Sequence, residues 1–208
     1  MEANLRVGIA IYNAGEHHAA HDAWEAQWLT LESGTEDERF LHGLIQFTAA
    51  IYHARNRNWA GATGLAKSAQ EYLSVLPSVY RGVDVLSVRR ALATLETDPE
   101  SIERQRPPKL TYDGSALMLD ELDFAETCVA AEILAEEYGY DEEQIESAIE
   151  LAAQAVSQDE SNQFVGLLFS FVREHDNRGL IFERLSQHLS RQHRRDEDVS
   201  GLFDTDTA

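Results

Sequence analysis

Lysine and cysteine are scarce in this chain, and each scarcity excludes a class of protein. Lys67 and Lys109 are the only lysines among 17 basic residues, which face 37 acidic residues and leave a formal net charge of −20. No basic stripe exists to meet nucleic-acid phosphates, so we expect no nucleic-acid partner. Cys128 is the only cysteine, which excludes an intrachain disulfide and a cysteine metal cluster.

Membrane and export signals are also missing from the sequence. No run approaches the roughly 18 apolar residues of a membrane-spanning helix. The first residues, Met1 to Asn4, lack the charged start and apolar run of a signal peptide. We therefore expect a soluble, cytoplasmic protein that has no membrane partner.

The acidic excess coexists with a hydrophobic content of 43%, which is normal for a folded protein and unlike a disordered acidic tail. Excess carboxylate keeps a surface hydrated, while dissolved salt screens the mutual repulsion. In this respect the composition resembles that of proteins from salt-loving archaea. We therefore expect a halophilic, archaeal protein whose charge reflects its habitat rather than an acidic function.

Helical spacing and capping residues fill the chain, whereas strand signals are nearly absent. Thr35 followed by Glu38 reads as a capping box, and Asn13 and Gly15 suit a helix end. The pattern predicts an all-α fold: an irregular array of short antiparallel helices, then a second, C-terminal helical bundle. The predicted helices cover about residues 5–12, 16–31, 35–55, 60–76, 84–95, 117–138, 142–156, 162–174 and 178–193.

A segment with few apolar residues, which contains Pro107, Pro108 and Gly114, divides the sequence into two halves. We interpret it as a linker because proline and glycine interrupt helices. The polar, acidic C-terminus is predicted to be a mobile tail. The predicted organisation is a helical domain at 1–103, a linker at 104–115, a four-helix domain at 116–193 and an acidic tail at 194–208.

The most informative stretch lies on the second predicted helix. His21, Trp24, Glu25 and Trp28 are spaced at i, i+3, i+4 and i+7, so they share one helix face. An ordinary amphipathic helix carries Leu, Ile or Val at such positions. An imidazole, a carboxylate and two indoles are costly to bury unless each finds a partner. The face is therefore either a polar network or a site.

Several motifs resemble, in order, those of the domain-of-unknown-function-309 family, a small all-helical family of archaea and bacteria. They are Asn13 to Trp28, Gly43-Leu44-Ile45-Gln46, His53, and Asn58 with Gly61-Ala62, beside the family pattern N-x-G, A-H-E-x-x-E-x-x-W, G-L-I-Q and G-N-x-x-G-A. The resemblance covers about residues 5–97. Asp22 stands where the family usually has Glu, and Arg57 replaces the usual Gly before Asn58. The family has no established activity, so the resemblance implies a fold and a site but no function.

The short connection at Ser33-Gly34 makes the second and third helices antiparallel neighbours. One face of the third helix can therefore meet the polar face of the second. The predicted cluster comprises His21, Glu25 and Gln46, with Trp24 and Trp28 beside them and His53 and Asn58 toward one end.

Three interpretations of this cluster are open from the sequence. The first is a buried hydrogen-bond network in which His21 pairs with Glu25. The second is a small-molecule pocket in which Glu25 and Gln46 orient a polar ligand between indole walls. The third is a metal site, because His21 and Glu25 at i and i+4 can reach one ion and His53 could supply a third ligand. No H-E-x-x-H motif occurs, and the sequence identifies no cofactor.

Our first hypothesis is a cytoplasmic helical protein of unknown activity that binds a partner or a small ligand without catalysis. The alternative is a metal-assisted hydrolase or related enzyme that uses His21 and Glu25. We also expect a two-fold homodimer, because small helical domains often leave one apolar face for a second copy. Ile45 and Ile51 lie off the helix face that carries Gln46 and are the predicted contributors to that contact.

Overall fold

α-Helices make up most of the computed structural model, which describes residues 1–160 and 162–203 of the chain. The predicted all-α class is therefore confirmed. The chain divides into two compact units, Met1–Ile133 and Leu134–Ala208. No helix among the described residues is long and apolar enough to cross a membrane.

The first unit is a chain of helices in which each of the first four contacts the next, with the long α3 packed against both α2 and α4. Short 3₁₀ turns follow α5 and precede α6, and α6 contains the boundary between the two units. The bounds are α1 Glu2–Ala14, α2 His17–Trp28, α3 Glu36–Arg55, α4 Trp59–Leu73, α5 Val85–Thr97 and α6 Phe124–Tyr138, with the 3₁₀ turns at Pro99–Glu103 and Leu119–Glu121.

Capping residues set where these helices begin and end. Oγ1 of Thr35 accepts a hydrogen bond of 3.2 Å from the backbone N–H of Glu38, which is the predicted start of α3. Gly15 adopts a φ of 96° and ends α1 in the left-handed conformation that glycine tolerates. The second helix ends at Trp28, earlier than predicted, because the chain then tightens into a turn in which Leu31 N–H donates to Trp28 O at 3.0 Å.

The core of the first unit contains aliphatic and aromatic side chains from α1 to α5. Trp24, Phe40 and Phe47 are completely buried. Ile51 is also completely buried and Ile45 is 8% exposed. The prediction that these two isoleucines form a surface for a second copy is therefore wrong, because both are already covered within the monomer.

Four two-residue strands form a small antiparallel sheet that the sequence did not predict. Its order is β1-β2-β3-β4, with β1 Val79–Tyr80, β2 Val83–Asp84, β3 Thr111–Tyr112 and β4 Ser115–Ala116. Both hairpin turns, Arg81-Gly82 and Asp113-Gly114, have two residues with φ between 49° and 86°. Two consecutive positive φ values are typical of the type I′ turn, whose twist matches that of the flanking strands.

Residues 104–115, the predicted linker, pack within the first unit. Tyr112 of β3 pairs with Val83 of β2. The Asn13 amide accepts from Leu110 N–H and donates to the carbonyl oxygens of Leu110 and Leu117, each at 2.8 Å. Gly114 lies in the turn of a hairpin, and Pro108 O accepts a hydrogen bond of 3.0 Å from the Tyr12 hydroxyl, so this segment is not a free connection. The structure divides the chain after Ile133 instead.

The second unit contains α7 Glu142–Ser157, α8 Gln163–Arg173 and α9 Arg178–Phe203. Its core includes Phe164, Leu168, Phe171 and Val172, as predicted for this apolar stretch. The predicted acidic tail at 194–208 begins inside α9, which continues to Phe203, and residues 204–208 lie outside the described residues.

Candidate functional site

Trp24 belongs to the core between α1 and α2. Its side chain is completely buried, and its indole Nε1–H donates to the backbone oxygen of Leu5 at 3.3 Å. The ring lies against Gly8, where an added Cβ would come within 2.1 Å of Nε1. Glycine at position 8 therefore allows the indole to pack on the backbone of α1. Trp24 faces α1 and does not line a site on α3.

His21 and Glu25 lie near a carboxylate that the prediction left out of the cluster. His21, Asp22 and Glu25, here named the α2 triad, each place one potential ligand atom within 4.8 Å of the others, and all three are half-buried. Nδ1 of His21 is 3.7 Å from Oδ1 of Asp22. Among the described residues no hydrogen bond joins His21 to Glu25, so the expected pair between them is not formed.

Trp28, at the C-terminal end of α2, joins this helix to α3 by a hydrogen bond. Its Nε1–H donates to Oε1 of Glu38 at 2.9 Å, and the backbone N–H of Gly34 donates to Oε2 of the same carboxylate at 3.2 Å. The hydrogen bond from Trp28, aided by that from Gly34, lowers the pKa of Glu38 although burial opposes the shift. Glu38 is therefore held as a carboxylate.

The imidazole of His42 lies between two aromatic rings. Its ring centroid is 4.7 Å from that of Trp28 and 4.1 Å from that of Tyr72 on α4. Nδ1 of His42 is 3.5 Å from Oε1 of Glu38, and Nε2 is 2.9 Å from Nε2 of Gln46. We name these five residues, Trp28, Glu38, His42, Gln46 and Tyr72, the His42 cluster.

Gln46 leaves one buried polar atom unsatisfied. Nδ1 of His42 forms no hydrogen bond among the described residues, but the Glu38 carboxylate 3.5 Å away favours the tautomer with its proton on Nδ1. Nε2 of His42 then accepts from the Gln46 amide. Oε1 of Gln46 then has no hydrogen-bond donor among the described residues, although it is shielded from solvent. An unsatisfied buried acceptor costs free energy and therefore requires an explanation.

A cleft of about 380 Å³ adjoins the His42 cluster and shares Glu38 and Tyr72 with it. Its walls come from the α2–α3 connection, the start of α3 and one face of α4. The lining residues are Ser33, Gly34, Glu38, Arg39, Ser68, Glu71 and Tyr72. The cleft is polar and contains two carboxylates, one of which is the Glu38 that anchors the cluster.

His53 and Asn58 form a separate turn between α3 and α4. Asn58 accepts from Gly61 N–H at 3.1 Å as the N-cap of α4, and its amide nitrogen is 2.8 Å from Nδ1 of His53. A Cβ at Gly61 would approach the Asn58 amide within 2.7 Å. These residues are explained by capping. His53 does not join the α2 triad among the described residues, so the predicted ligand set of His21, Glu25 and His53 is replaced by His21, Asp22 and Glu25.

The predicted cluster lacks four members of these arrangements: Asp22, Glu38, His42 and Tyr72. Glu38 was recognised only as the second residue of a capping box, yet its carboxylate bonds the indole of Trp28. Its position at the start of α3, opposite the end of α2, was the signal that could have identified it. Nothing in the spacing of α4 distinguishes Tyr72.

Comparison with known proteins agrees with the resemblance over the first part of the chain. Residues 5–65 match the model of a family described as Domain of unknown function (DUF309). The match stops short of the expected residue 97, but it includes every residue of the predicted cluster and excludes Tyr72. No curated protein matches the chain.

Proposed function

We propose that this chain is a binding protein rather than an enzyme, and that the His42 cluster with its cleft takes a small polar ligand that donates hydrogen bonds. The unsatisfied Oε1 of Gln46 carries the proposal. The anchored carboxylate of Glu38 supports it, because an ionised carboxylate can only accept hydrogen bonds. A ligand rich in N–H or O–H groups complements both atoms.

The surrounding rings support a binding role over a purely structural one. Trp28 and Tyr72 flank His42, and Tyr72 also lines the open cleft. Flat side chains around a few convergent polar atoms are the usual composition of a small-molecule site. Oε1 of Gln46 is covered in this structure, so binding requires a side-chain rotation that opens it toward the cleft.

The indole N–H resonances of the three tryptophans offer a direct test. Trp28 lies in the cluster, Trp24 in the core and Trp59 at the start of α4. We expect titration with spermidine, ethanolamine or glycerol to shift the Trp28 indole resonance and leave that of Trp24 unchanged. Absence of any shift of the Trp28 resonance with all three probes at millimolar concentration contradicts the proposal.

The substitution Gln46→Met separates binding from folding. Methionine has a similar volume and removes the unsatisfied acceptor, but it also removes the amide that donates to Nε2 of His42. We expect the two effects to offset each other and the stability to stay near that of the wild type. Binding of the active probe should be lost, because the acceptor that recognises it is gone. Equal binding by the wild-type and Gln46→Met proteins contradicts the assignment of the site to Gln46.

The α2 triad supports a second candidate, a metal-assisted hydrolase, because an imidazole and two carboxylates lie within 4.8 Å of one another. These are suitable ligands for zinc or manganese, and water could complete the coordination. Calorimetric titration of chelator-treated protein with each ion tests this candidate. Glu25→Gln should abolish binding, whereas Glu32→Gln, which makes the same change of charge at an exposed position, should not. No binding by the wild type, or equal binding by both variants, excludes it.

A further inference from the structure

A second cleft lies at the opposite end of the α2–α3 pair, where α2 begins and α3 ends. Its volume is about 360 Å³. The lining residues are Tyr12, Asn13, Ala14, Gly15, His17, Arg55, Arg106, Pro107 and Lys109. Three of them are cations and none is a carboxylate, in a chain with 37 acidic residues against 17 basic ones. This cleft, here named the cationic cleft, is therefore positively charged, whereas the protein as a whole is strongly negative.

The arginines of the cleft lack the salt bridges that arginines close to them in sequence form. Arg57 binds Glu103 at 2.8 Å, and Arg104 binds Asp98. Arg55 and Arg106, each two positions away from one of these, form no salt bridge within the described part of the chain. An acidic protein has carboxylates available to neutralise exposed arginines. Two arginines left unpaired at one concavity are positioned to meet an anion from outside.

Lys109 adds a third charge to the cleft. Its Nζ is 3.3 Å from Sδ of Met118 and forms no salt bridge among the residues that the structure describes. The other lysine of the chain, Lys67, is exposed on α4 and does not line this cleft. One of only two lysines is therefore placed beside the two unpaired arginines.

Hydrogen bonds hold the backbone on both sides of Lys109. The Tyr12 hydroxyl donates to Pro108 O at 3.0 Å, and the imidazole Nδ1–H of His17 donates to Gly15 O at 2.6 Å. The Asn13 amide ties the end of α1 to the backbone at Leu110. Because this backbone is already ordered, it loses little conformational entropy when a ligand binds.

An apolar cavity of about 90 Å³ adjoins the cationic cleft and shares Arg106 and Pro107 with it. Phe47, Ile51 and Leu95 contribute apolar surface to its wall. A guanidinium at the mouth of an apolar cavity complements a molecule with one anionic and one apolar end. The adjoining cavity therefore favours an organic anion over a simple inorganic one.

We propose that the cationic cleft binds a small organic anion, with its carboxylate or phosphate between Arg55, Arg106 and Lys109 and its apolar group in the adjoining cavity. This site is separate from the His42 cluster. The two lie at opposite ends of the α2–α3 pair, so failure of one proposal leaves the other intact.

Phenyl phosphate, benzoate and inorganic phosphate are the probes for this proposal. Calorimetry at constant ionic strength should show that phenyl phosphate binds more tightly than inorganic phosphate, because only the former fills the cavity. Comparison of phenyl phosphate with benzoate identifies the preferred headgroup. No binding of either aromatic anion at millimolar concentration overturns the proposal, and equal affinities for phenyl and inorganic phosphate overturn the role of the cavity.

The two lysines provide a matched pair of variants. Lys109→Gln should weaken phenyl phosphate binding severalfold, and Arg106→Gln should weaken it by about tenfold, the value of one charge-assisted hydrogen bond. Lys67→Gln makes the same change in net charge away from the cleft and should alter the affinity less than about twofold, since exposed distant charges are screened. Equal effects of Lys67→Gln and Lys109→Gln indicate a general charge effect and overturn the assignment of the site.

The cavity has its own test. Ala91 contributes to its wall, and Ala91→Leu should fill part of the space. We expect this variant to lose the preference for phenyl phosphate over inorganic phosphate while it keeps the affinity for inorganic phosphate. Retention of the full preference in a folded Ala91→Leu protein overturns the position of the apolar group.

Discussion

The indole Nε1–H of Trp28 donates a hydrogen bond of 2.9 Å to the Glu38 carboxylate, which joins the last residue of α2 to the first turn of α3. The carboxylate also accepts from the backbone of Gly34 in the connection between the two helices. It thus holds the end of α2, the connection and α3 together. The same arrangement places the Trp28 ring on His42, so the hairpin and the candidate site depend on one contact.

Trp28→Phe should make the protein less sensitive to acid. The pKa of folded Glu38 is lowered, chiefly by the Trp28 hydrogen bond, from an ordinary value of 4.5. The associated stability is therefore fully present above pH 4.5 and is lost as the pH falls through the lower, folded-state pKa. Phenylalanine keeps a ring against His42 but removes the donor. We expect the substitution to reduce the free energy of unfolding by about 1.5–3 kcal/mol at pH 7. On acidification the variant should then lose less stability than the wild type loses.

Chemical denaturation at pH 7 and at pH 3 measures both effects. The difference in the free energy of unfolding between wild type and Trp28→Phe should be smaller at pH 3 than at pH 7. Protonation of Glu38 weakens the same hydrogen bond in the wild type that the substitution removes. A constant difference at the two pH values would show that Trp28 stabilises the protein through ring packing alone.

His17 should make the folding stability depend on pH in a second range, closer to neutral pH. Burial, aided by Arg55, lowers its pKa from 6.5 to about 4, although the hydrogen bond to Gly15 opposes the shift. The unfolded chain therefore takes up the proton first as the pH falls. Stability is full above pH 6.5, decreases toward pH 4 and then levels. This pKa shift corresponds to a decrease of about 3 kcal/mol in the free energy of unfolding across that pH range.

His17→Asn isolates this contribution, because its side-chain amide can still donate to the backbone oxygen of Gly15 but does not titrate. The free energy of unfolding of the wild type relative to this variant, measured from pH 7.5 to pH 4, should fall as the pH falls. Parallel curves for the two proteins would mean that His17 titrates normally in the folded state.

Most helices were predictable because their signals are local. Thr35, Asp84 and Gly15 stand at helix ends, and each makes the hydrogen bond or adopts the dihedral angle expected of its residue type. The two hairpins were missed although Asp113-Gly114 is a strong type I′ turn sequence. Strands of only two residues leave no alternating pattern beside such a turn, so the glycine was interpreted as part of a linker.

The candidate site was predictable only in part, because periodicity identifies a buried helix face but not the neighbour that covers each residue. The second helix contacts both α1 and α3. Trp24 turns toward α1, whereas Trp28 reaches Glu38 on α3. Gln46 was expected to meet His21 and Glu25, but it bonds His42 on its own helix at the i, i+4 spacing. The partner of each side chain depends on its rotamer and on the angle at which the helices cross. The local sequence pattern determines neither of these.

High salt should stabilise the protein. The net charge of −20 opposes any compact state, because the excess carboxylates repel one another. At 1 M salt the screening length falls to about 3 Å, which removes most of this repulsion. We therefore expect Tm to rise as potassium chloride increases from low to molar concentration. A flat Tm over that range contradicts the proposed halophilic adaptation.

The contact between Gly8 and Trp24 should make position 8 intolerant of a side chain larger than glycine. An alanine Cβ at position 8 would lie 2.1 Å from the indole nitrogen, which requires the ring or the helix to move. We expect Gly8→Ala to cost at least about 1–3 kcal/mol, because overpacking forces strain and disturbs the hydrogen bond to Leu5. In the W24L background, where the indole is absent, the same substitution should cost much less.

Gly64→Ala is the matched control, since Gly64 is an exposed glycine in α4 whose added Cβ meets nothing within 4 Å. Alanine there should stabilise the helix by about 0.5–1 kcal/mol, because glycine loses more backbone freedom on folding. Denaturation midpoints of the four proteins in the Gly8–Trp24 cycle and of Gly64→Ala measure these effects. A stabilising Gly8→Ala, or an equal cost with and without the indole, would show that α1 and α2 do not pack through this contact.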